Sequence, residues 1–218
     1  MGITFYCGSG SPYAWRVWLA LEHKQLPYAL KILSFSSGDL KTPEFITLNP
    51  RGKVPVVTDN GFALYESAAI VEYLEDRYPN SGSGLFPLDI AQRARARRLV
   101  REGDQYLATA MEKLVEEILF KPREQWDSRA IDAGKTELVA EFNRFEAYAP
   151  RDGFLVGAAS AADFTVYPLI ALALRIEDKK KPDLGIRSAL GPNLSAWFAR
   201  VEKLPYFAKT IPPHWQER

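Results

Sequence analysis

Val54-Pro55, Glu66-Ser67 and Ser11-Pro12 are the features of this sequence whose residue types could do chemistry together. Proline has no N–H to give a strand. Pro55 at a strand start therefore marks an edge, as an ordinary trans proline or as a cis one that turns Val54 outward. Turned outward, the Val54 N–H and C=O could pair with the backbone of a peptide ligand, as an added strand does. Ser67 falls where a helix begins. Its hydroxyl and N–H would face outward at the positive end of the helix dipole, where they either cap the helix or bind a carboxylate. Glu66 beside it could accept from an ammonium group, so one pair matches both charges of an amino-acid head group. Ser11 ends the loop after the first strand, either as a plain helix cap or as a hydroxyl that donates to a thiolate. A free thiol has a pKa of about 8.5. Lowering it by about two units takes roughly 2.7 kcal/mol, an amount that one charge-assisted hydrogen bond and a helix dipole can supply.

Other candidates read as structure. Cys7 is a lone thiol at a strand end, and with no Cys-x-x-Cys it has no dithiol chemistry; it reads as a small buried hydrophobe. Arg93, Arg95, Arg97, Arg98 and Arg101 scatter over several faces of one helix and read as a solvated or interface surface rather than an anion or RNA patch. The sequence contains no G-x-G-x-x-G, P-loop, H-E-x-x-H or G-x-S-x-G.

The elements that must position these residues follow from hydrophobic periodicity and turn chemistry. Ile3 to Cys7 reads as a strand, and a helix begins near Pro12, where a missing N–H costs nothing. Tyr28 to Leu33 is a second strand, Thr42 to Leu48 a short helix, and Asn49-Pro50-Arg51-Gly52 a turn cluster. Val54 to Thr58 and Phe62 to Leu64 flank the hairpin turn Asp59-Asn60-Gly61, and Ser67 to Arg77 is helical. The order β-α-β-α-β-β-α predicts a parallel pair followed by an antiparallel hairpin. Asn80 to Gly84 reads as a linker. Beyond it helical spacing dominates: Leu99, Gly103, Tyr106, Ala110 and Leu114 fall in register, as do Leu138, Phe142 and Phe145. Ser160-Ala161-Ala162-Asp163 predicts a capped helix running to about Ile176, with Asp in place of the usual Glu or Gln, and Pro192 to Lys203 predicts another.

Composition narrows the classes. The chain has 218 residues, 47% hydrophobic and 25% charged, with 28 basic against 27 acidic side chains. That balance predicts a globular protein with no nucleic-acid footprint. No apolar run approaches the ~20 residues of a membrane span, and the first residues read as a strand rather than a signal peptide. One cysteine rules out an internal disulfide and fits a reducing compartment, and with His23 and His214 it makes too few ligands for a His/Cys metal site.

Taken together the motifs resemble the cytosolic glutathione S-transferases of the serine type. The run from Ser11-Pro12 through Trp15-Arg16-Val17, then Thr42-Pro43-Glu44-Phe45, Asn49-Pro50-Arg51-Gly52-Lys53-Val54-Pro55 and Glu66-Ser67-Ala68-Ala69-Ile70, follows that family's order and spacing. Ser160 to Asp163 and Pro192 to Trp197 resemble its later signatures, so the match spans essentially the whole chain. The resemblance implies an α/β thioredoxin-like N-terminal domain (1–79), a linker (80–88) and an all-α C-terminal helical domain (89–218). It also implies a cytoplasmic homodimer using glutathione as co-substrate, with no metal, nucleic-acid or membrane partner.

The same resemblance implies roles. Ser11 would hold and ionise the glutathione thiol, with Ser9 or Tyr6 as substitutes; Val54 before a cis Pro55 would clamp the cysteinyl backbone; Glu66 and Ser67 would bind the γ-glutamyl head; Lys41 and Lys53 would contact the tripeptide, often its glycyl carboxylate. Tyr13, Phe35, Tyr106, Met111 and Leu114 are expected to wall an apolar pocket for the electrophile. Tyr13 stands where the zeta-type isomerases carry Cys, which leaves the class open among zeta-, phi- and theta-like members. Glutathione-dependent isomerisation and a non-catalytic binding module are the alternatives to transfer.

Overall fold

The structure, a computed structural model, describes residues 2–181 and 183–216. Its first 86 residues build a four-stranded sheet flanked by three helices. Strand β1 (Ile3–Gly8) pairs parallel with β2 (Tyr28–Leu33) and antiparallel with β3 (Val56–Asp59), which turns through Asn60 and Gly61 into β4 (Phe62–Tyr65). The sheet order is β2-β1-β3-β4. Strand β3 begins only after Pro55, because a residue without an N–H cannot join the ladder from inside it. Helix α1 (Pro12–His23) is capped by Ser11, whose Oγ accepts from the Ala14 N–H at 3.2 Å. Thr42 caps α2 (Pro43–Leu48) in the same way through the Phe45 N–H. Helix α3 (Ser67–Arg77) has no side-chain cap; Glu66 precedes it with φ +69°. Phe5, Val56, Val57, Ile70 and Leu74 bury the space between sheet and helices.

Contacts divide the chain into 1–86 with 205–218, and 87–204. The turn-rich stretch 80–86 packs on the first unit: Leu85 and Phe86 are buried, the Ser83 N–H donates to the His23 carbonyl at 3.2 Å, and the Leu85 N–H donates to Glu75 at 3.0 Å. Glu75 also pairs with Lys24, which is fully buried, at 2.8 Å. Residues 205–216 carry two single-turn helices, α9 (Phe207–Thr210) and α10 (Pro213–Gln216), that pack against α1.

The second unit is helical. Helix α4 (Ile90–Glu102) runs through a π-helical turn into α5 (Ala108–Leu114), followed by a second π-helical turn over Val115–Leu119. Then come α6 (Ser128–Tyr148), α7 (Ala161–Lys179) and α8 (Pro192–Val201). Helix α7 opens with a capping box: the Ser160 hydroxyl and N–H both donate to Asp163, whose other oxygen takes the Leu155 N–H and the Trp197 indole N–H at 2.8 Å. Helix α7 runs three residues past the predicted end, carried by Ile176 and Glu177, which are buried. No helix is long and apolar enough to cross a membrane among the described residues.

Candidate functional site

One end of the sheet collects the candidate residues, and strand register explains why. Tyr6 of β1 faces Val56 of β3, and Val56 faces Tyr65 of β4. Continued toward the same end, the first register sets Gly8 beside Val54 and the second sets Pro55 beside Glu66. Gly8 is tightly enclosed there: a Cβ on it would lie 2.6 Å from Val54 Cγ2 and 2.5 Å from Phe35 Cζ, so a larger residue would have to displace both side chains. Ser11 follows directly, its N–H donating to the Gly8 carbonyl at 3.0 Å to close a turn. The Val54–Pro55 peptide is cis.

Ser67 lies deeper than the sequence expectation of an outward hydroxyl. It is buried, and its Oγ accepts from Nη1 of Arg16 at 3.0 Å. Arg16, 2% exposed, also stands 5.8 Å from the Tyr13 ring. Helix α1 thus places a buried guanidinium beneath the N-terminus of α3, where the first-turn N–H groups have no partner within the helix. Two positive influences meet there, and Glu66 stands exposed beside them.

Lys41 and Lys53 lie on neighbouring segments, since a Cβ on Gly52 would meet the Leu40 carbonyl at 3.1 Å. Asn49 shapes the turn that carries Lys53: it is buried, its amide donates to the Lys53 carbonyl at 2.7 Å, and its own Oδ1 takes the Arg51 N–H at 3.0 Å. Cys7 is also buried, and burial pushes its thiol up to about 12, which disfavours the thiolate.

Family models agree with this architecture. The glutathione S-transferase N-terminal domain matches residues 10–77 and the C-terminal domain matches residues 106–205. The chain belongs to the glutathione S-transferase family. Glutathione S-transferase A of Pleuronectes platessa is 31% identical, over 99% of this chain and 93% of its own. The transferase GstB of Escherichia coli is 28% identical, over 96% and 97%. The crystal structure of a glutathione S-transferase from the Antarctic clam Laternula elliptica is 32% identical, covers 100% of this chain and 95% of that one, and superposes with a TM-score of 0.81.

In this glutathione S-transferase the first unit brings Ser11, Val54, Pro55, Glu66 and Ser67 to one sheet end, with Phe35 against Gly8 and Tyr13 over Arg16. Phe35 is 59% exposed, and Tyr106 on the helical unit is also exposed. Met111 and Leu114 are 1% and 0% exposed: they pack inside the helical core and present no surface. Arg16, Asn49 and Gly8 escaped the sequence reading as site residues. A charged residue in the apolar run Trp15 to Leu21 was the available signal for Arg16, because an unpaired guanidinium does not stay buried. In the helical unit Arg95 and Arg98 line an open cleft of about 550 Å³ with Gln92, Tyr148 and Leu155, and Arg98 stacks 4.9 Å from the Tyr148 ring.

Proposed function

We propose that this protein transfers glutathione to an apolar electrophile, with Ser11 stabilising the thiolate. The observation that carries the reading is the junction of Gly8, Val54 and the Arg16–Ser67 pair around the turn that ends in Ser11. Glutathione has one ammonium, two carboxylates, a thiol and a peptide backbone, and the residues present fit it group by group. Glu66 takes the γ-glutamyl ammonium, and the Ser67 N–H takes its carboxylate with Arg16 beneath. The Val54 backbone pairs with the cysteinyl residue, and Lys41 and Lys53 face the glycyl carboxylate. The Ser11 oxygen accepts from Ala14, which leaves its O–H hydrogen to donate to the sulfur.

The thiol proton leaves to solvent, and the thiolate attacks an electrophilic carbon. A C–S bond forms, and the leaving group departs with the bonding pair. Tyr13 and Phe35 supply apolar surface for the electrophile on the first unit. A cytoplasmic homodimer in a detoxifying role follows from the same reading. The test is Ser11→Ala, followed by thiolate absorbance of bound glutathione and turnover of an activated aryl halide. A thiol pKa raised by about one to two units supports the reading, since each unit is a tenfold change in thiolate fraction. Unchanged pKa and turnover would overturn it.

A further inference from the structure

Ser11 sits in the turn Gly8-Ser9-Gly10-Ser11, where Gly10 gives the backbone more freedom than another residue would. Gly10 adopts φ +86°, the conformation the third position of a type II turn requires. Something must hold it, because a hydroxyl displaced by about 1 Å from its working position loses much of its effect.

The segment 205–216 grips this turn from both sides. Before Ser11, the Ser9 Oγ lies 2.6 Å from Nδ1 of His214. The His214 ring then covers Gly10 so closely that a Cβ there would lie 2.6 Å from Cε1, with Trp215 Nε1 at 3.3 Å. After Ser11, Trp15 lies one helical turn on, its N–H donating to the Ser11 carbonyl at 3.0 Å. Its indole N–H donates to Thr210 Oγ1 at 3.0 Å, and its ring meets Trp215 edge-on at 5.1 Å and Phe207 at 5.9 Å. Residues nearly 200 positions away thus hold the chain on either side of Ser11.

We propose that Ser9 and His214 are positioning residues for the reaction, locking the turn so that the Ser11 hydroxyl meets the thiolate. This rests on the reading of Ser11 given above. With His214 Nδ1 unprotonated, the Ser9 hydroxyl donates its hydrogen to the ring, and Ser9 is then a support rather than a second thiolate donor. Neither residue has a direct part in the chemistry; both act through Ser11.

His214→Ala, Ser9→Ala, the double variant and Ser11→Ala are compared by thiolate absorbance of bound glutathione, kcat, KM for glutathione and thermal melting. His214→Ala raises the bound-thiol pKa and lowers kcat by about three- to tenfold near neutral pH, as a shift of about half to one unit requires. KM for glutathione changes by less than about twofold, because the head-group contacts are intact. Ser9→Ala reproduces this, and the double variant is no worse than either single one, as a single shared bond requires. His214→Asn, which keeps a hydrogen-bonding group near the Nδ1 position, restores most of the loss. Thiol pKa and kcat unchanged in both single variants, or an effect confined to melting temperature, overturns the proposal. So does an unrescued His214→Asn, or losses that add in the double variant. If Ser11→Ala is active while Ser9→Ala is dead, Ser9 itself holds the sulfur and both readings fall. If Ser11→Ala is impaired and the other two are silent, only the positioning role fails.

Discussion

Arg16 Nη1 donates to Ser67 Oγ across 3.0 Å inside the first unit, joining the helix that carries Ser11 to the helix that begins at Glu66-Ser67. A guanidinium so placed adds charge under a carboxylate-binding helix terminus and orients the hydroxyl beside it. Replacing Arg16 by Met keeps the bulk and removes the charge. The expected outcome is a rise of about tenfold in glutathione KM, the equivalent of one charge-assisted hydrogen bond. Titration calorimetry of glutathione binding checks it; an unchanged affinity would show that Arg16 only packs.

Capping and chemistry separate at Ser11. Ser11→Ala loses the cap on α1 and costs about 1 kcal/mol in denaturant unfolding. Ser11→Asp keeps an acceptor for the Ala14 N–H but sets a negative charge against the thiolate. Stability close to the parent with turnover reduced below that of Ser11→Ala is the expected pair of results. Parallel urea titrations and initial rates give both.

Lys24 is fully buried and its counter-charge is Glu75. Glu75→Gln leaves that ammonium buried beside a neutral amide, at a cost of about 3 kcal/mol. Burial alone would raise the Glu75 carboxyl, but the Leu85 N–H, Lys24 and the Phe86 N–H outweigh it and hold the group below its ordinary range. A lowered pKa in the folded state means stability that is present above the unfolded carboxylate pKa and lost as pH falls through the folded one. Melting temperature followed from neutral pH into the acid range should therefore fall less steeply in Glu75→Gln than in the parent.

Cys7 is enclosed and its thiol is pushed up to about 12 by burial. A thiol reagent at mildly alkaline pH should leave the native protein unlabelled and modify it only on unfolding, because the thiolate is the reacting species. Cys7→Ala should retain turnover. Fast labelling in the native state would contradict the buried placement.

Asp163 is fully buried and takes four donors, from Ser160, Leu155 and Trp197. Asp163→Ala strips all of them of their acceptor and should cost about 3 kcal/mol, with little effect on glutathione affinity. Denaturant unfolding together with calorimetry on the folded variant separates the two.

Ser11-Pro12, Thr42-Pro43 and Ser160 to Asp163 were legible as helix starts because a cap is a bond between residues two to three apart, and the side chain that makes it stands in the sequence beside the N–H it serves. The hairpin through Asn60-Gly61 was legible for the same reason. Ser67 shows the limit of such reading: its position at a helix start was visible, but its burial was not, because the residue that bonds its hydroxyl lies 51 positions earlier. Leu85 and Phe86 fall inside the expected linker (80–88), yet they are buried with the first unit, where Glu75 receives the Leu85 N–H. Met111 and Leu114 carried the right chemistry for an apolar wall and the right spacing for a core; packing decided between them.

The sequence by itself determined the kinds of elements, most of their ends, and the residue types available for gripping a γ-linked tripeptide, since periodicity, caps and turns are short-range interactions written in neighbouring side chains. Only the tertiary structure decided that Arg16 reaches Ser67, that Gly8 admits Val54, and that His214 meets Ser9 from 205 residues away. Those pairings depend on strand register and on which surfaces bury one another, quantities set by the whole chain at once and carried by no single stretch of it.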